Sequence, residues 1–220
     1  MKKLTSALLL AAGLSSAGSV GANTEMQDLS YSLGALIGDR ILAPYTELDY
    51  ERLMEGLKAA HQKGELDIDL ATANTIVQEQ SQKAQAAATE AAREAGVTFL
   101  AEQAARDGVM ATDSGLLYEV KKEGDGAKPV ATDQVTVHYE GKLIDGTIFD
   151  SSIQRGEPTS FALNQVIPGW TEGLQLMSVG SEYTFYIPSD LAYGERGAGG
   201  QIGPHQALIF DVTLIAIGDS

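Results

Sequence analysis

Apolar positions recur with two different periods along this chain, and the change from one to the other divides it. From Asn23 to about Gly108 they return every three to four residues, with few glycines or prolines and no strand-like alternation. In "NTEMQDLSYSLGALIGDRI", Leu29, Leu33, Leu36, Ile37 and Ile41 share one stripe, and Thr24 and Gln27 have capping-box spacing. Pro44 is expected to end or bend this first helix. A second is predicted to begin near Asp49, to carry Leu53, Met54 and Leu57, and to stop at Gly64. A third is predicted from Asp69, its expected N-cap, to Arg106, a rod of roughly 55 Å at about 1.5 Å per residue. Between Gln78 and Arg93 its only apolar residue type is alanine, so it reads as a solvated stalk. A compact three-helix bundle would need an apolar face along that whole helix. The stripes of the first two helices then lack an intrachain partner long enough to cover them, which points to homodimerisation through this region.

After "DGVMATDSG" the period falls to two. "GLLYEVKK", "QVTVHYEGKL", "SEYTFYIP" and "ALIFDVTLIAI" are rich in β-branched and aromatic residues and are separated by Gly, Pro and Asp. Val135, Val137 and Tyr139 alternate with Thr136, His138 and Glu140, as in a half-buried antiparallel strand. One short helix, "GWTEGLQLM", is entered through Pro168. The predicted fold is α+β: an antiparallel sheet of about five strands with one short helix, preceded by an all-α region with a long stalk helix.

Composition adds an address. Lys2 and Lys3 precede an apolar run from Leu4 to Leu14 and small residues ending at Ala22, the pattern of a secretory signal peptide over residues 1–22. The run is too short to span a bilayer, so a retained anchor is the weaker reading and no membrane span is expected in the mature form. The expected organisation is therefore signal peptide 1–22, helical dimerisation region and stalk 23–110, and β-rich domain 111–220. There is no cysteine, which excludes disulfides and a lipid-modified cysteine. A periplasmic protein is the simplest expectation, with outer-membrane association or secretion as alternatives. Loss of the leader takes the formal charge from −15 to −17. Such a surface repels phosphate backbones and argues against nucleic acid as a partner.

Candidate chemistry is sparse. "AYGERGAGGQIGPH" holds Gly197, Gly199, Gly200 and Gly203, but in no register does it supply G-x-G-x-x-G; no lysine follows, and it leads into a strand rather than a helix. His61, His138 and His205 are too dispersed for a local metal motif, so no metal or cofactor is expected. No G-x-S-x-G occurs. What remains are the aromatics of the β half, Tyr139, Phe149, Phe161, Trp170, Tyr193 and Phe210, each at a strand end or beside a turn. Together they exceed what one core of this size needs.

"VTVHYEGKLIDGTIFDSS", "FALNQVIPGWTEGLQLMSVGS" and "IPSDLAYGERGAGGQIGPHQALIFDVTLI" resemble, in order and spacing, the FKBP-type peptidyl-prolyl isomerase domain, over about residues 112–218. The helical region, including "YSLGALIGDRI", is similar to the bacterial macrophage infectivity potentiator and FkpA type, which dimerises through N-terminal helices. The resemblance implies a sheet wrapped around the short helix, enclosing an apolar cavity. It assigns Trp170 to the floor, and Tyr139, Phe149, Phe161, Val166 and Phe210 to the walls. It makes the Ile167 N–H and the Tyr193 hydroxyl donors to substrate carbonyls, and Asp150 the pocket's charge, paired with Arg155. One departure concerns the rim: where many members have Ile-Pro-Pro-His, this chain has Ile202-Gly203-Pro204-His205, and the glycine is expected to relax the backbone there.

The implied activity is isomerisation of X-Pro bonds in exported, unfolded or proline-containing polypeptides, with accompanying chaperone activity and binding of macrolide inhibitors of the tacrolimus type. A holdase or binding module with little isomerase role is the competing reading; the complete aromatic set favours the enzyme. An adhesin or secreted virulence factor has no feature of its own in the sequence.

Overall fold

The computed structural model of the protein describes residues 19–45 and 47–218. The leader expected over residues 1–22 lies outside them except for its last four, which open the first helix. The chain divides into two compact units, one ending at Ser81 and the other beginning at Gln82.

In the first unit, α1 (Ser19–Ile37) runs into a π turn, Gly38–Leu42, ahead of Pro44. Thr24 lies inside α1 rather than at its N-cap, because the helix already begins at Ser19. α2 (Tyr50–His61) starts as predicted, with the Asp49 carboxylate accepting from the Arg52 N–H at 3.0 Å. Its end differs from the expectation: Lys63, with φ 55°, takes the left-handed position, and the following Gly64 donates its N–H back to Ala59 O at 2.9 Å. α3 (Leu70–Ala104) is unbroken for 35 residues; Asp69 caps it by accepting from the N–H groups of Ala71 and Thr72 at 2.9 and 3.0 Å. Within the first unit the apolar stripe is open to solvent: Leu29, Leu33, Leu36 and Ile41 are 51%, 52%, 48% and 60% exposed.

The second unit contains the rest of α3 and an antiparallel sheet. Its strands are β1 (Val109–Ala111), β2 (Leu117–Lys122), β3 (Gln134–Leu143), β4 (Ile148–Ser151), β5 (Thr159–Ala162), β6 (Glu182–Ile187) and β7 (Leu208–Gly218), in the order β1-β2-β6-β7-β3-β4, with β5 also on β3. The four long strands match the period-two segments. The three extra ones are three or four residues long, too short for alternation to register in sequence. Besides the expected helix, here α5 (Pro168–Leu174), a single turn α4 (Ser152–Arg155) follows β4.

The core lies between the sheet and α5. On β3, Val135 and Val137 are fully buried, and on β6 and β7 so are Phe185, Ile187, Leu208 and Leu214. From α5, Trp170 and Leu174 point into the same cluster. Pro168 suits the first helical position because an N–H there would have no intrahelical partner. The rigid sheet and this helix hold the aromatic side chains described next.

Candidate active site

One end of the core is left open. A cavity of about 460 Å³ is lined by Tyr139, Phe149, Asp150, Phe161, Gln165, Val166, Ile167, Trp170, Tyr193 and Phe210. That size suits a side chain with its flanking peptide groups. All of the sequence-predicted pocket residues meet here; Arg155 stands behind Asp150.

The hollow originates in β3. Its inward positions run Val135, Val137, Tyr139, Gly141, so the fourth has no side chain. A Cβ at Gly141 would lie 2.7 Å from the rings of both Phe149 and Phe210. Pairing places Gly141 opposite Asp150 on β4 and Phe210 on β7. The absent side chain therefore lets two aromatic rings from neighbouring strands close over β3, in an edge-to-face contact of 5.5 Å.

Trp170 sits 4% exposed beneath them. Its indole meets Tyr139, Phe161 and Phe210 edge-on, at centroid separations of 5.1, 5.5 and 5.2 Å. Its Nε1 is buried and has no hydrogen-bond partner among the described residues. An unpartnered donor of this kind costs about 1–3 kcal/mol, and the surrounding packing sustains it. The floor is thus aromatic and packed on three sides by other rings.

The site's charges are Asp150 and Arg155, whose side chains are 44% and 43% exposed. The Tyr139 hydroxyl donates to Asp150 Oδ2, and Arg155 pairs with Asp150 Oδ1 while its Nη2 donates to the Tyr139 hydroxyl at 2.9 Å. α4 makes this possible: Ser151 caps the turn, Gly156 ends it at φ 79°, and Arg155 is carried back over β3. Burial raises the Asp150 pKa, but hydrogen bonds from Tyr139 and Arg155 and the guanidinium charge outweigh it, leaving the carboxyl below its ordinary range. Burial, and then the bond to Asp150, push the Tyr139 phenol up. The pocket's acid is consequently a fixed anion and its tyrosine a fixed neutral donor.

On the opposite lip, Ile167 N-caps α5, its carbonyl accepting from the N–H groups of Trp170 and Thr171 at 2.9 and 3.1 Å. Its own N–H donates no hydrogen bond among those formed by the described residues. Tyr193 is 38% exposed, and its hydroxyl is likewise unbonded among the described residues. Burial and the charge of Asp150 raise its pKa, so it too stays a neutral donor.

Beyond Tyr193 the glycine loop folds into a narrow bridge. Ala198 and Ile202 exchange hydrogen bonds of 2.8 and 3.0 Å, and Gly199 and Gly200 turn the chain between them at φ 60° and 72°. At Gly203 the φ is not left-handed, and a Cβ would meet nothing nearer than 3.8 Å. Gly197 demands glycine on two counts, a φ of 62° and a would-be Cβ 2.1 Å from Ile202 O.

Three members of the site escaped the sequence reading. Gln165 lines the cavity from the 3₁₀ turn Leu163–Gln165. Gly141 lies within a predicted strand, but its part in the pocket shows only once the register of β3 is known. Fully buried Ser152 accepts from the Tyr139 N–H at 2.8 Å, and only its place in "FDSS" hinted at a role. No group of side chains suited to a metal ion occurs among the described residues.

Comparison with known proteins agrees with this geometry. The family of FKBP-type peptidyl-prolyl cis-trans isomerases matches residues 126–215, and the domain amino-terminal to FKBP-type isomerases matches residues 26–120. An FKBP-type 22 kDa peptidyl-prolyl cis-trans isomerase of Escherichia coli K12 is 43% identical over 192 residues, 86% of this chain and 93% of that protein. The probable FkpA isomerase of Neisseria meningitidis serogroup B is 46% identical over 203 residues, covering 88% of this chain and 75% of its own. The outer membrane protein MIP of Legionella longbeachae is 34% identical over 99% of this chain and 97% of its own. The crystal structure of FkpA from Escherichia coli superposes with a TM-score of 0.75 at 32% identity, covering 90% of this chain and 97% of that one. The aromatic cavity, its two matched domains and these relatives together establish that the chain belongs to the FKBP-type peptidyl-prolyl cis-trans isomerases, in the FkpA and Mip group that carries an amino-terminal helical domain.

Proposed function

We propose that the cavity takes the proline ring of an X-Pro segment and lowers the barrier to its rotation without covalent chemistry. The observation that carries this reading is the convergence of six aromatic side chains, Tyr139, Phe149, Phe161, Trp170, Tyr193 and Phe210, on one cavity. Rotation must break amide resonance, a barrier of about 18–20 kcal/mol. Water stabilises the planar, charge-separated amide more than the twisted one, so transfer of the bond to an apolar site favours the transition state.

In this reading Trp170, Phe149, Phe210, Tyr139, Phe161 and Val166 grip the ring. The Ile167 N–H and Tyr193 hydroxyl orient the flanking carbonyls. Asp150 acts electrostatically, with Arg155 holding it and Tyr139 in place. A thousandfold acceleration needs only about 4 kcal/mol of preferential stabilisation. Burial of the ring and two oriented hydrogen bonds are of that order. A macrolide of the tacrolimus type, presenting a ring and carbonyls to the same groups, would compete with the peptide.

Residues 111–220 are taken as the isomerase domain and 23–110 as the dimerisation and stalk region. The exposed stripe of α1, with Met54 and Leu57 of α2, supports burial against a second copy. Two catalytic domains on one dimer would raise the effective concentration for a second contact with the same client, the basis of an accompanying chaperone activity. The leader pattern supports export to the periplasm, and no helix among the described residues is long and apolar enough to cross a membrane. The test is a protease-coupled isomerisation assay on a short X-Pro peptide, paired with sedimentation of the full chain. No acceleration by the wild type, or a monomer at micromolar concentration, would sink the corresponding half of the proposal.

A further inference from the structure

The glycine-rich rim leaves the sheet after β6 and returns into β7, with Tyr193 at its departure and His205 at its return. Its neck is closed by the His205 N–H, which donates to Gly194 O at 2.9 Å, one residue from Tyr193. His205 holds φ 56°, a left-handed conformation uncommon outside glycine. Contacts around it help to hold it there.

Those surroundings are the second half of α3, which belongs to the same compact unit. Gly96 is the buried residue of that helix. A Cβ at Gly96 would come 3.3 Å from the Ala207 Cβ and 3.8 Å from His205 O. Glycine is unfavourable inside a helix, and here it allows α3 to lie directly on the returning strand of the rim. One turn earlier, Arg93 Nη2 lies 3.0 Å from His205 Nε2. A guanidinium can only donate, so Nε2 is the acceptor in this contact. The guanidinium is itself steadied by Glu90, 3.9 Å away, and borders a cavity of about 420 Å³ shared with Asp190, Glu195 and His205.

We propose that Arg93 is a positioning residue for the isomerase reaction: by holding His205 from α3 it fixes the neck of the rim, and through Gly194 the hydroxyl of Tyr193. On this account α3 is more than a spacer, since its second half forms the back wall of the rim. The inference rests on Tyr193 being the rim's working donor.

The test is kcat/KM on an X-Pro peptide for the full chain carrying Arg93→Ala, Arg93→Lys, Tyr193→Phe and the Arg93→Ala/Tyr193→Phe pair, with thermal unfolding of each. Loss of one exposed hydrogen bond corresponds to about a threefold fall for Arg93→Ala, carried by kcat rather than KM and with Tm unchanged. Arg93→Lys, which keeps a donor, should recover most of it. In the Tyr193→Phe background Arg93→Ala should cost nothing further, because the two act through one hydroxyl. Wild-type activity in Arg93→Ala, or losses that simply multiply in the pair, overturns the positioning role. No effect of Tyr193→Phe alone removes instead the assignment of Tyr193 on which it stands.

Discussion

Arg155 donates to the Tyr139 hydroxyl at 2.9 Å with its guanidinium carbon 5.6 Å from the centroid of the same ring, so one cation holds both the polar tip and the apolar face of a pocket wall. Asp150 completes the arrangement by pairing with Arg155 and accepting from Tyr139. The carboxylate's position suggests orientation rather than proton transfer, and the size of the loss on substitution separates these. Asp150→Asn keeps the shape and removes the charge; it should lower kcat/KM by less than about tenfold, the effect of one or two weakened hydrogen bonds. Loss of a general acid or base would be about a hundredfold or more. The protease-coupled assay reads the difference, and a hundredfold loss would overturn the electrostatic role.

The same network sets the pH response. Although burial raises the Asp150 pKa, its bonds to Tyr139 and Arg155 leave the net value depressed in the folded state. A depressed carboxylate contributes stability above its unfolded pKa of about 3.9, and that contribution is lost as pH falls through the lower folded value. Across pH 5–8 Asp150 should stay charged, so kcat/KM should carry no limb belonging to it. Wild type and Asp150→Asn should therefore give profiles of parallel shape in this range. A step in the wild-type profile that disappears in Asp150→Asn would contradict the assignment.

Gly141 offers a purely steric test of the pocket. A Cβ there would fall 2.7 Å from the rings of Phe149 and Phe210, and these belong to two different strands, so neither yields without the other. Gly141→Ala should displace both rings, cost about 1–3 kcal/mol of stability by overpacking, and reduce kcat/KM about tenfold or more. Calorimetry and the isomerase assay check the two effects. Normal activity in a destabilised variant would mean that the rings' positions are immaterial to catalysis.

How much of this was legible depended on whether residues announce themselves locally. β3 was read to its exact ends because Val135, Val137 and Tyr139 alternate with polar neighbours, and the caps Asp49 and Asp69 are chemical signals within one turn of the helices they start. The pocket aromatics were assigned by family resemblance, since nothing in local pattern brings Phe149, Trp170 and Phe210 together across strand pairings far apart in sequence. β1, β4 and β5 are too short to show a period. Gly141 and Ser152 matter through register and burial, which appear only once β3 is paired. Gly64 is the residue type that stops a helix, yet Lys63 takes the left-handed place because the closing bond to Ala59 is made one residue later.

Among the rim glycines, Gly197 is one that the fold requires and Gly203 one that it tolerates. Gly197 combines φ 62° with a would-be Cβ 2.1 Å from Ile202 O, the atom to which Ala198 donates at 2.8 Å. Gly197→Ala should therefore break the Ala198–Ile202 bridge, cost about 1–3 kcal/mol and disturb the rim that begins at Tyr193. Gly203 has ordinary φ and open space to 3.8 Å, so Gly203→Ala should leave Tm within about 2 °C, and it gains slightly from a less flexible unfolded chain. Assaying both variants on peptides that differ only in the residue before proline distinguishes rim shape from rim composition. A changed preference profile is expected for Gly197→Ala and an unchanged one for Gly203→Ala. The reverse pattern would mean that the departure at Gly203, and not the bridge that Gly197 permits, governs which segments the rim accepts.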